Sequence, residues 1–412
     1  MTTVVLLGTL DTKGKEYEYL RTLILAAGCD VVMVDAGILG LPQTAADISR
    51  EQVAAAANEN VRALSAAGDR GAAVQKMSEG ATAIVLNLYR EGRLQGILGL
   101  GGSGGSSLVT QAMQALPVGV PKLMVSTMAS GDTRPYVGST DITMMYSVVD
   151  IAGINRISQR ILSNAAAAIV GMAKVEASSG TDAKPLIAAT MFGVTTPCAN
   201  EARQIMDSLG YEVLVFHATG AGGRSMEGLV KDGYISGVLD ITTTELADEL
   251  VGGVLSAGPS RLEAAGTLGI PQVVSLGALD MVNFGPLESV PVKFRGRNLY
   301  QHNATVTLMR TTADENAELG KIIGRKLNKA RGPVTVFIPL RGVSSIDVEG
   351  QPFYDTLADH ALFENVKATL RPNIDIQELD MDINDPRFAS AMARQLDEHI
   401  RTMSKRPVPE QR

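Results

Sequence analysis

The sequence predicts an α/β protein built from two tandem Rossmann-like domains, each with a doubly wound parallel sheet. Short apolar runs such as 3–7 and 31–34 alternate with amphipathic helical segments, which is the pattern of βαβ units. A second series of the same kind follows a polar segment, 176–184. We therefore expect domains at about 1–178 and 183–405, joined by that segment.

Three pairs of segments support the tandem arrangement, because they match in the same order along the chain. They pair 25–34 with 206–215, 91–98 with 232–239, and 118–121 with 267–271. The same alignment sets the glycine-rich segment 99–107 against 240–245, which carries carboxylates and hydroxyls instead. Phosphate-binding chemistry is therefore expected in the first domain alone.

Composition limits the class of protein. The 412 residues include two cysteines and carry a net charge of −7, with an isoelectric point near 5.3. An acidic chain disfavours a nucleic-acid surface, and so few cysteines favour a reducing compartment over a disulfide framework. The longest run of small apolar residues, 165–173, is too short to span a bilayer. We expect a cytoplasmic protein with small-molecule ligands and neither a nucleic-acid nor a membrane partner.

A loop rich in glycine and serine, 99–107, lies between an apolar run and a helical segment. Uncovered N–H groups at the start of a helix attract anions. We therefore predict that phosphate groups are held by Gly101, Gly102, Ser103, Gly104, Gly105 and Ser106. The alternative is a tight turn that needs positive φ. The loop matches G-x-G-x-x-G without the acidic residue expected about 20 positions later, and the Walker motif is absent.

Loops after neighbouring strands supply further candidates for cofactor binding. These are Thr9, Asp11, Thr12 and Lys13 after the first strand, Asp35 at the end of the second, and Thr127, Ser130 and Gly131 after a later one. Asp11 or Thr12 is expected to cap the first helix. Lys13 would then oppose the helix dipole by about 0.3–1 kcal/mol, and a bound phosphate would reverse that sign. Alternatively, Lys13 points to solvent.

The second half places charged residues in strand-end loops, where α/β sites form. The predicted catalytic residues are His217, Glu227, Asp240, His302 and Arg341, and the predicted substrate-binding residues are Gly222, Gly223, Arg224, Asn303 and Ser344. Arginine can hold an acidic ligand through two hydrogen bonds, and histidine can exchange protons near neutral pH. Asp355 and Asp359 are predicted to be solvated charges on a helix face. The sequence has no metal-binding spacing such as H-E-x-x-H or C-x-x-C.

Five motifs together resemble the UPF0261 family, which is related to the N-terminal region of the tomato mosaic virus resistance protein Tm-1. They are 8–14, 99–107, 126–131, 217–223 and 338–347. The resemblance covers nearly the whole chain. It implies an ATP-binding domain followed by a second Rossmann-like domain, commonly in a homodimer.

These observations predict ATP with Mg²⁺ in the first domain, with Asp11 as the metal contact. Mg²⁺ needs only one or two carboxylates beside the phosphates. Three functions remain open. The first is an ATP-dependent enzyme acting on a small polar or acidic metabolite in the interdomain cleft. The second is a nucleotide-binding regulatory or interaction module without turnover. In the third, the glycine-rich loop holds a phosphorylated or sugar-acid substrate.

Overall fold

The computed structural model describes residues 2–175 and 184–404. The chain divides into two compact units, 1–179 and 180–412. Most of the predicted linker, 176–183, lies outside the described residues. No helix in the described ranges is long and apolar enough to cross a membrane.

Unit 1 is built on a five-stranded parallel sheet with the order β2-β1-β3-β4-β5. Its elements are β1 (Thr3–Gly8), α1 (Leu10–Ala26), β2 (Asp30–Asp35), α2 (Arg50–Ala56), α3 (Val61–Ala66), α4 (Arg70–Arg90), β3 (Gly96–Gly101), α5 (Ser103–Gln114), β4 (Lys122–Ser126), α6 (Arg134–Val137), β5 (Thr143–Tyr146) and α7 (Arg156–Lys174).

Helices cover both faces of this sheet, because its central strands are apolar on both sides. Val5 and Leu7 pack in one cluster with residues of α4 and α5, such as Met77 and Leu108. Leu6, which points to the other face, packs in a second cluster with residues of α1 and α7. Alternate side chains of one strand therefore enter two separate cores, as expected for a doubly wound sheet.

Unit 2 has a six-stranded parallel sheet, β14-β13-β9-β8-β6-β7, and a three-stranded antiparallel sheet, β10-β12-β11. Its elements are β6 (Leu186–Met191), α8 (Thr196–Ser208), β7 (Glu212–His217), α9 (Ala221–Lys231), β8 (Ile235–Thr242), α10 (Glu245–Val251), α11 (Ala264–Leu268), β9 (Gln272–Gly277), β10 (Met281–Phe284), β11 (Leu299–Asn303), β12 (Val306–Arg310), α12 (Ala313–Leu327), β13 (Val334–Pro339), α13 (Thr356–Thr369), β14 (Asp375–Leu379) and α14 (Pro386–Ser404).

The predicted fold class is confirmed, since each unit is a Rossmann-like α/β layer structure with a parallel sheet. The antiparallel sheet is an addition that the sequence analysis missed. Its outer strand β11 is mostly exposed, so its residues are polar and lack the apolar alternation that marks a half-buried strand.

Two local predictions need correction. The first helix begins at Leu10, so Thr9 and not Asp11 or Thr12 is the N-cap residue, and the helix is kinked at Lys13 (φ −129°). Asp359 is not a solvated charge, because it is buried and its carboxylate Oδ1 lies 2.6 Å from Nη2 of Arg310. Asp355 is exposed and caps α13 by accepting from the N–H groups of Leu357 and Ala358.

Candidate functional site

A cavity of about 290 Å³ opens at the carboxyl ends of β1, β2 and β3 in unit 1. In the sheet, β1 lies between β2 and β3, so the chain passes from β1 to one side and later returns to the other side. This change of direction leaves a crevice at the carboxyl ends of the strands, where open parallel α/β sheets bind their ligands. The cavity is lined by Thr9, Asp11, Thr12, Lys13, Ala36, Ile38, Leu39, Arg70, Val74, Met77, Gly101, Gly102, Ser103, Gly104, Gly105, Leu108 and Asp150.

The glycine-rich loop forms one end of this cavity. Gly102 is the N-cap of α5 and offers no side chain, while its carbonyl accepts from the N–H of Ser106 at 2.8 Å. The N–H groups of Ser103, Gly104 and Gly105 precede the first intrahelical bond and have no acceptor within the helix. In the same unit, α2, α3, α4 and α7 are capped by side chains, whereas α1 and α6, like α5, have no side-chain cap.

The glycines of this loop are not explained by a turn that needs positive φ. None of the glycines between 99 and 105 has such a conformation. Gly101 is in a crowded position, since a Cβ there would lie 3.0 Å from Cα of Gly105 and would push against the backbone of the loop. A Cβ on Gly104 would meet no atom within 4 Å, so the fold itself does not demand glycine there.

Part of the remaining lining is an apolar wall. It consists of Ala36, Ile38, Leu39, Val74, Met77 and Leu108. Met77 is fully buried, whereas Leu39 is 65% exposed. The cavity therefore joins an anion-attracting end to a surface suited to a flat, weakly polar group.

Asp11 and Asp35 share the buried guanidinium of Arg50. Asp35 accepts from Nε of Arg50 at 2.7 Å and from the N–H groups of Leu10 and Gly37, so this predicted cofactor residue braces the loops and does not line the cavity. Asp11 lines the cavity, and its Oδ2 accepts from the N–H of Leu39 at 2.7 Å. Its Oδ1 is buried without a hydrogen-bond partner.

The predicted phosphate-binding cation, Lys13, lines the cavity but is already engaged. Its ammonium group donates a hydrogen bond to the carbonyl of Ile151. Two charged residues that the sequence analysis overlooked, Arg70 and Asp150, also line the cavity and are exposed. The hydroxyl groups of Thr9 and Thr12 lie 2.8 Å apart and form a hydrogen bond with each other.

The remaining predicted cofactor residues lie outside the cavity lining. Ser106 is fully buried, and its hydroxyl lies 2.6 Å from that of Ser126. Thr127 approaches the loop from the next strand, since a Cβ on Gly102 would lie 3.7 Å from its Oγ1. Ser130 and Gly131 are exposed at the end of a short 3-10 helix, Thr127–Ser130, which follows β4.

In unit 2, three carboxylates surround the fully buried guanidinium of Arg261. Asp240 lies 2.5 Å from Nη1, Glu245 lies 2.7 Å from Nε, and Glu227 lies 3.7 Å from Nη1. Glu227 also accepts from the N–H groups of Leu262 and Ala264, and burial raises its pKa. The predicted catalytic residues Glu227 and Asp240 are therefore brought together inside the unit, around an arginine that the sequence analysis did not select.

A carboxylate of the same chain, that of Glu245, binds at the N-terminus of α9. Glu245 Oε1 accepts from the N–H of Gly220 at 2.6 Å and of Gly223 at 3.0 Å, and a Cβ on Gly223 would collide with this carboxylate. A Cβ on Gly222 would collide with the carbonyl of His217. Gly222 and Gly223 thus serve close packing at this turn.

A second buried cluster surrounds Arg310. Its Nη2 lies 3.0 Å from Asp347 and 2.6 Å from Asp359. Nearby, Asp280 accepts from the hydroxyl of Ser344 at 2.8 Å, while Asp280 Oδ1 is buried without a partner. Burial raises the pKa of Asp347 to about 9 and that of Asp280 to about 6, and it also raises the pKa of Asp359.

The other predicted residues of unit 2 are exposed. The ring of His217 packs against Phe192 with centroids 5.4 Å apart, and Arg224 donates to the carbonyl of Ser256. His302 and Asn303 lie on β11, where Asn303 accepts from Thr305. Arg341 pairs with Asp380 at 2.6 Å and lines a cavity of about 560 Å³ together with Asp359. Across the described ranges, no group of three His, Cys, Asp or Glu side chains is placed to bind a metal.

Fold and site define a two-unit parallel α/β protein with an uncapped, glycine-rich helix terminus in its first unit. The chain belongs to the UPF0261 family. The description "Uncharacterised protein family (UPF0261) N-terminal domain" matches residues 2–178, and the corresponding C-terminal domain matches residues 184–400. The resemblance found in the sequence motifs is confirmed.

Relatives with similar sequences include bacterial and plant proteins. A UPF0261 protein of Clostridium tetani is 56% identical, covering 95% of this chain and 98% of the relative. A UPF0261 protein of Mesorhizobium japonicum is 48% identical, with 96% and 99% covered. The ToMV resistance protein Tm-1(GCR237) of Solanum lycopersicum is 47% identical over 78% of this chain and 44% of its own length.

Two solved structures align with the chain at low scores. Acinetobacter baumannii MurG aligns at 11% identity with a TM-score of 0.24, covering 97% of this chain and 100% of MurG. A UDP-N-acetylglucosamine 2-epimerase from Rickettsia bellii aligns at 9% identity with a TM-score of 0.23, covering 66% and 78%. At such scores the likeness supports no inference about this chain.

Proposed function

We propose that unit 1 binds a nucleotide whose phosphate groups lie against the N–H groups of Ser103, Gly104 and Gly105. The observation that carries the proposal is the uncapped N-terminus of α5, which lines a cavity at the switch point of the sheet. Three donors without intrahelical acceptors, together with the positive end of the helix dipole, favour an anion at that place.

The apolar wall favours a nucleotide over a small inorganic anion. A bound phosphate ion would not contact Val74, Met77 and Leu108, whereas the flat face of a nucleobase can pack against these side chains. Gly104 supports the same view, because the fold leaves open space at its Cα and a side chain there would stand between the ligand and the amides.

ATP with Mg²⁺ is the ligand that the family resemblance implies, and the residues present fit it. Asp11 offers a buried carboxylate oxygen without a partner, and Asp150 is a second carboxylate in the lining. These two side chains would hold the metal, which would neutralise phosphate charge when bound. Asp35 is left out of the metal site because Arg50 and two N–H groups occupy its oxygens.

The test is a calorimetric titration of the full chain with ATP, ADP, AMP, adenosine and ribose 5-phosphate, each with and without Mg²⁺. We expect ATP to bind more tightly than AMP, and Mg²⁺ to strengthen ATP binding while leaving adenosine unchanged. Binding of ribose 5-phosphate in preference to every nucleotide would instead assign the loop to a phosphorylated substrate. Absence of binding by all five ligands would contradict the proposal.

An ATP-dependent reaction on a small polar or acidic metabolite is the second candidate. The observation behind it is the cavity of about 560 Å³ in unit 2, whose lining contains Arg341 together with the carboxylates of Glu349, Asp359 and Asp382 and so suits a polar metabolite better than an acidic one. Its test is ATP consumption in the presence of pooled metabolites, compared between the wild type and Arg341→Ala. Metabolite-dependent consumption that Arg341→Ala abolishes supports an enzyme. Nucleotide binding without any consumption supports a regulatory module.

A further inference from the structure

The described side chains that line the unit 1 cavity carry no excess positive charge to balance a polyphosphate. Among the described residues of the lining, the basic side chains are Lys13 and Arg70, and the acidic ones are Asp11 and Asp150. Lys13 donates to the carbonyl of Ile151, which restrains its ammonium group. The side chain of Arg70 is exposed, and within the described part of the chain it forms no hydrogen bond or ion pair with another residue.

Arg70 is placed by α4 to reach the mouth of the cavity. Arg70, Val74 and Met77 are spaced four and three residues apart, so they lie on one face of the helix. Exposure along this face falls from the exposed Arg70, through the half-buried Val74, to the fully buried Met77. The face therefore runs from solvent into the cavity floor, with its charge at the open end.

The position of Arg70 does not serve the stability of the unliganded protein. It is the first residue of α4, directly after the N-cap Asp69. A cation in the first turn of a helix opposes the macrodipole, and a bound anion would turn that unfavourable position into a favourable one.

We infer that Arg70 is a specificity-determining residue whose guanidinium pairs with the ligand's phosphate groups, so that the cavity selects nucleoside di- and triphosphates over monophosphates. The inference rests on the nucleotide binding proposed above. Arginine suits this role because its planar fork donates two parallel hydrogen bonds to one phosphate and stays charged at every physiological pH. A lysine at the same position keeps the charge without the fork.

The experiment measures the affinities of ATP, ADP and AMP for the wild type, Arg70→Gln and Arg70→Lys by calorimetry at two salt concentrations. Arg90→Gln is the matched control, since Arg90 is exposed at the other end of α4. Arg70→Gln is expected to weaken ATP and ADP binding by about tenfold to a hundredfold, as for loss of one charge-assisted contact, and AMP binding by less than threefold. The ATP and ADP affinities of Arg70→Lys are expected to lie between those of the wild type and Arg70→Gln. The affinities of Arg90→Gln are expected to match those of the wild type.

Failure of this inference differs from failure of the proposed function. If the wild type binds ATP and Arg70→Gln binds it equally well, Arg70 does not contact the phosphates. If Arg70→Gln weakens the affinities for AMP and ATP by the same factor, Arg70 supports the shape of the site and does not distinguish ligands by their number of phosphate groups. If the wild type binds no nucleotide, the proposed function itself is wrong. The melting temperature of unliganded Arg70→Gln is expected to equal or exceed that of the wild type.

Discussion

The carboxylate of Glu245 lies 2.7 Å from Nε of Arg261, and both side chains are fully buried. The other oxygen of Glu245 accepts from the N–H groups of Gly220 and Gly223 at the start of α9. Unit 2 therefore supplies an internal anion to a glycine-rich helix terminus. In unit 1 the terminus at Gly102 has no such side chain and faces a cavity. This difference is the physical basis for assigning the nucleotide to unit 1.

Glu245→Gln is expected to destabilise the protein by about 1–3 kcal/mol, because the new amide group turns N–H donors toward either Nε of Arg261 or the N–H groups of Gly220 and Gly223 and leaves them without an acceptor. Urea unfolding followed by circular dichroism measures the change. Glu249→Gln is the control on the same helix, since Glu249 is exposed, and it is expected to change stability by less than about 1 kcal/mol. Equal effects of the two substitutions would contradict a structural role for the Glu245–Arg261 pair.

Asp248→Asn is expected to stabilise the protein at pH 8 more than at pH 5. Burial raises the pKa of Asp248 to about 7, so ionisation of this carboxyl weakens the folded state as the pH rises from about 4 through 7. The variant removes that loss, which amounts to about 4 kcal/mol at most. Asn283 donates to Asp248 while its own Oδ1 is buried and unpartnered, so a reversed Asn283 amide can accept from the new amide. The measurement is the free energy of unfolding of both proteins between pH 5 and 8. A difference between the two proteins that does not change with pH would contradict this account.

Arg310 and Asp347 are expected to differ sharply in their effect on stability. Burial, together with the neighbouring carboxylates of Asp280 and Asp359, raises the pKa of Asp347 to about 9. We therefore expect this carboxyl to be protonated at pH 7, so that Asp347→Asn replaces one neutral group by another and costs about 1 kcal/mol or less. Arg310→Met removes the cation shared with Asp359 and is expected to cost about 3–5 kcal/mol. Thermal and urea unfolding at pH 7 provide the comparison. A larger loss for Asp347→Asn than for Arg310→Met would mean that Asp347 is ionised.

The strands and the glycine-rich loop were predictable because their causes are local. The apolar runs 3–7 and 31–34 coincide with β1 and β2, since strands of a parallel sheet that is covered by helices on both faces need apolar residues on both sides. The uncapped start of α5 also follows from neighbouring residues alone. Local sequence therefore predicts the end of the cavity that the glycine-rich loop forms.

The partners of buried charges were not predictable, because they lie far away in sequence. Arg261 meets Asp240 across 21 positions, and Arg310 meets Asp359 across 49. A carboxylate on a helical face looks solvated until its partner is known, which explains the error at Asp359. The position of Arg70 in the cavity depends on how α4 packs against the sheet, and no local pattern encodes that packing.

The most direct test of the nucleotide site is the ATP affinity of Gly102→Asp, measured together with the stability of the unliganded protein. Asp is a good N-cap residue, so its carboxylate should accept from the amides of α5 and occupy the anion position, as Glu245 does at α9. We predict that ATP binding falls at least tenfold while the unliganded protein is as stable as the wild type or more stable by a few tenths of a kcal/mol. Gly102→Ala, which adds a Cβ without a cap and meets Thr127 at 3.7 Å, should retain binding within about threefold. Unchanged ATP affinity in a folded Gly102→Asp variant would contradict the assignment of phosphates to this helix terminus.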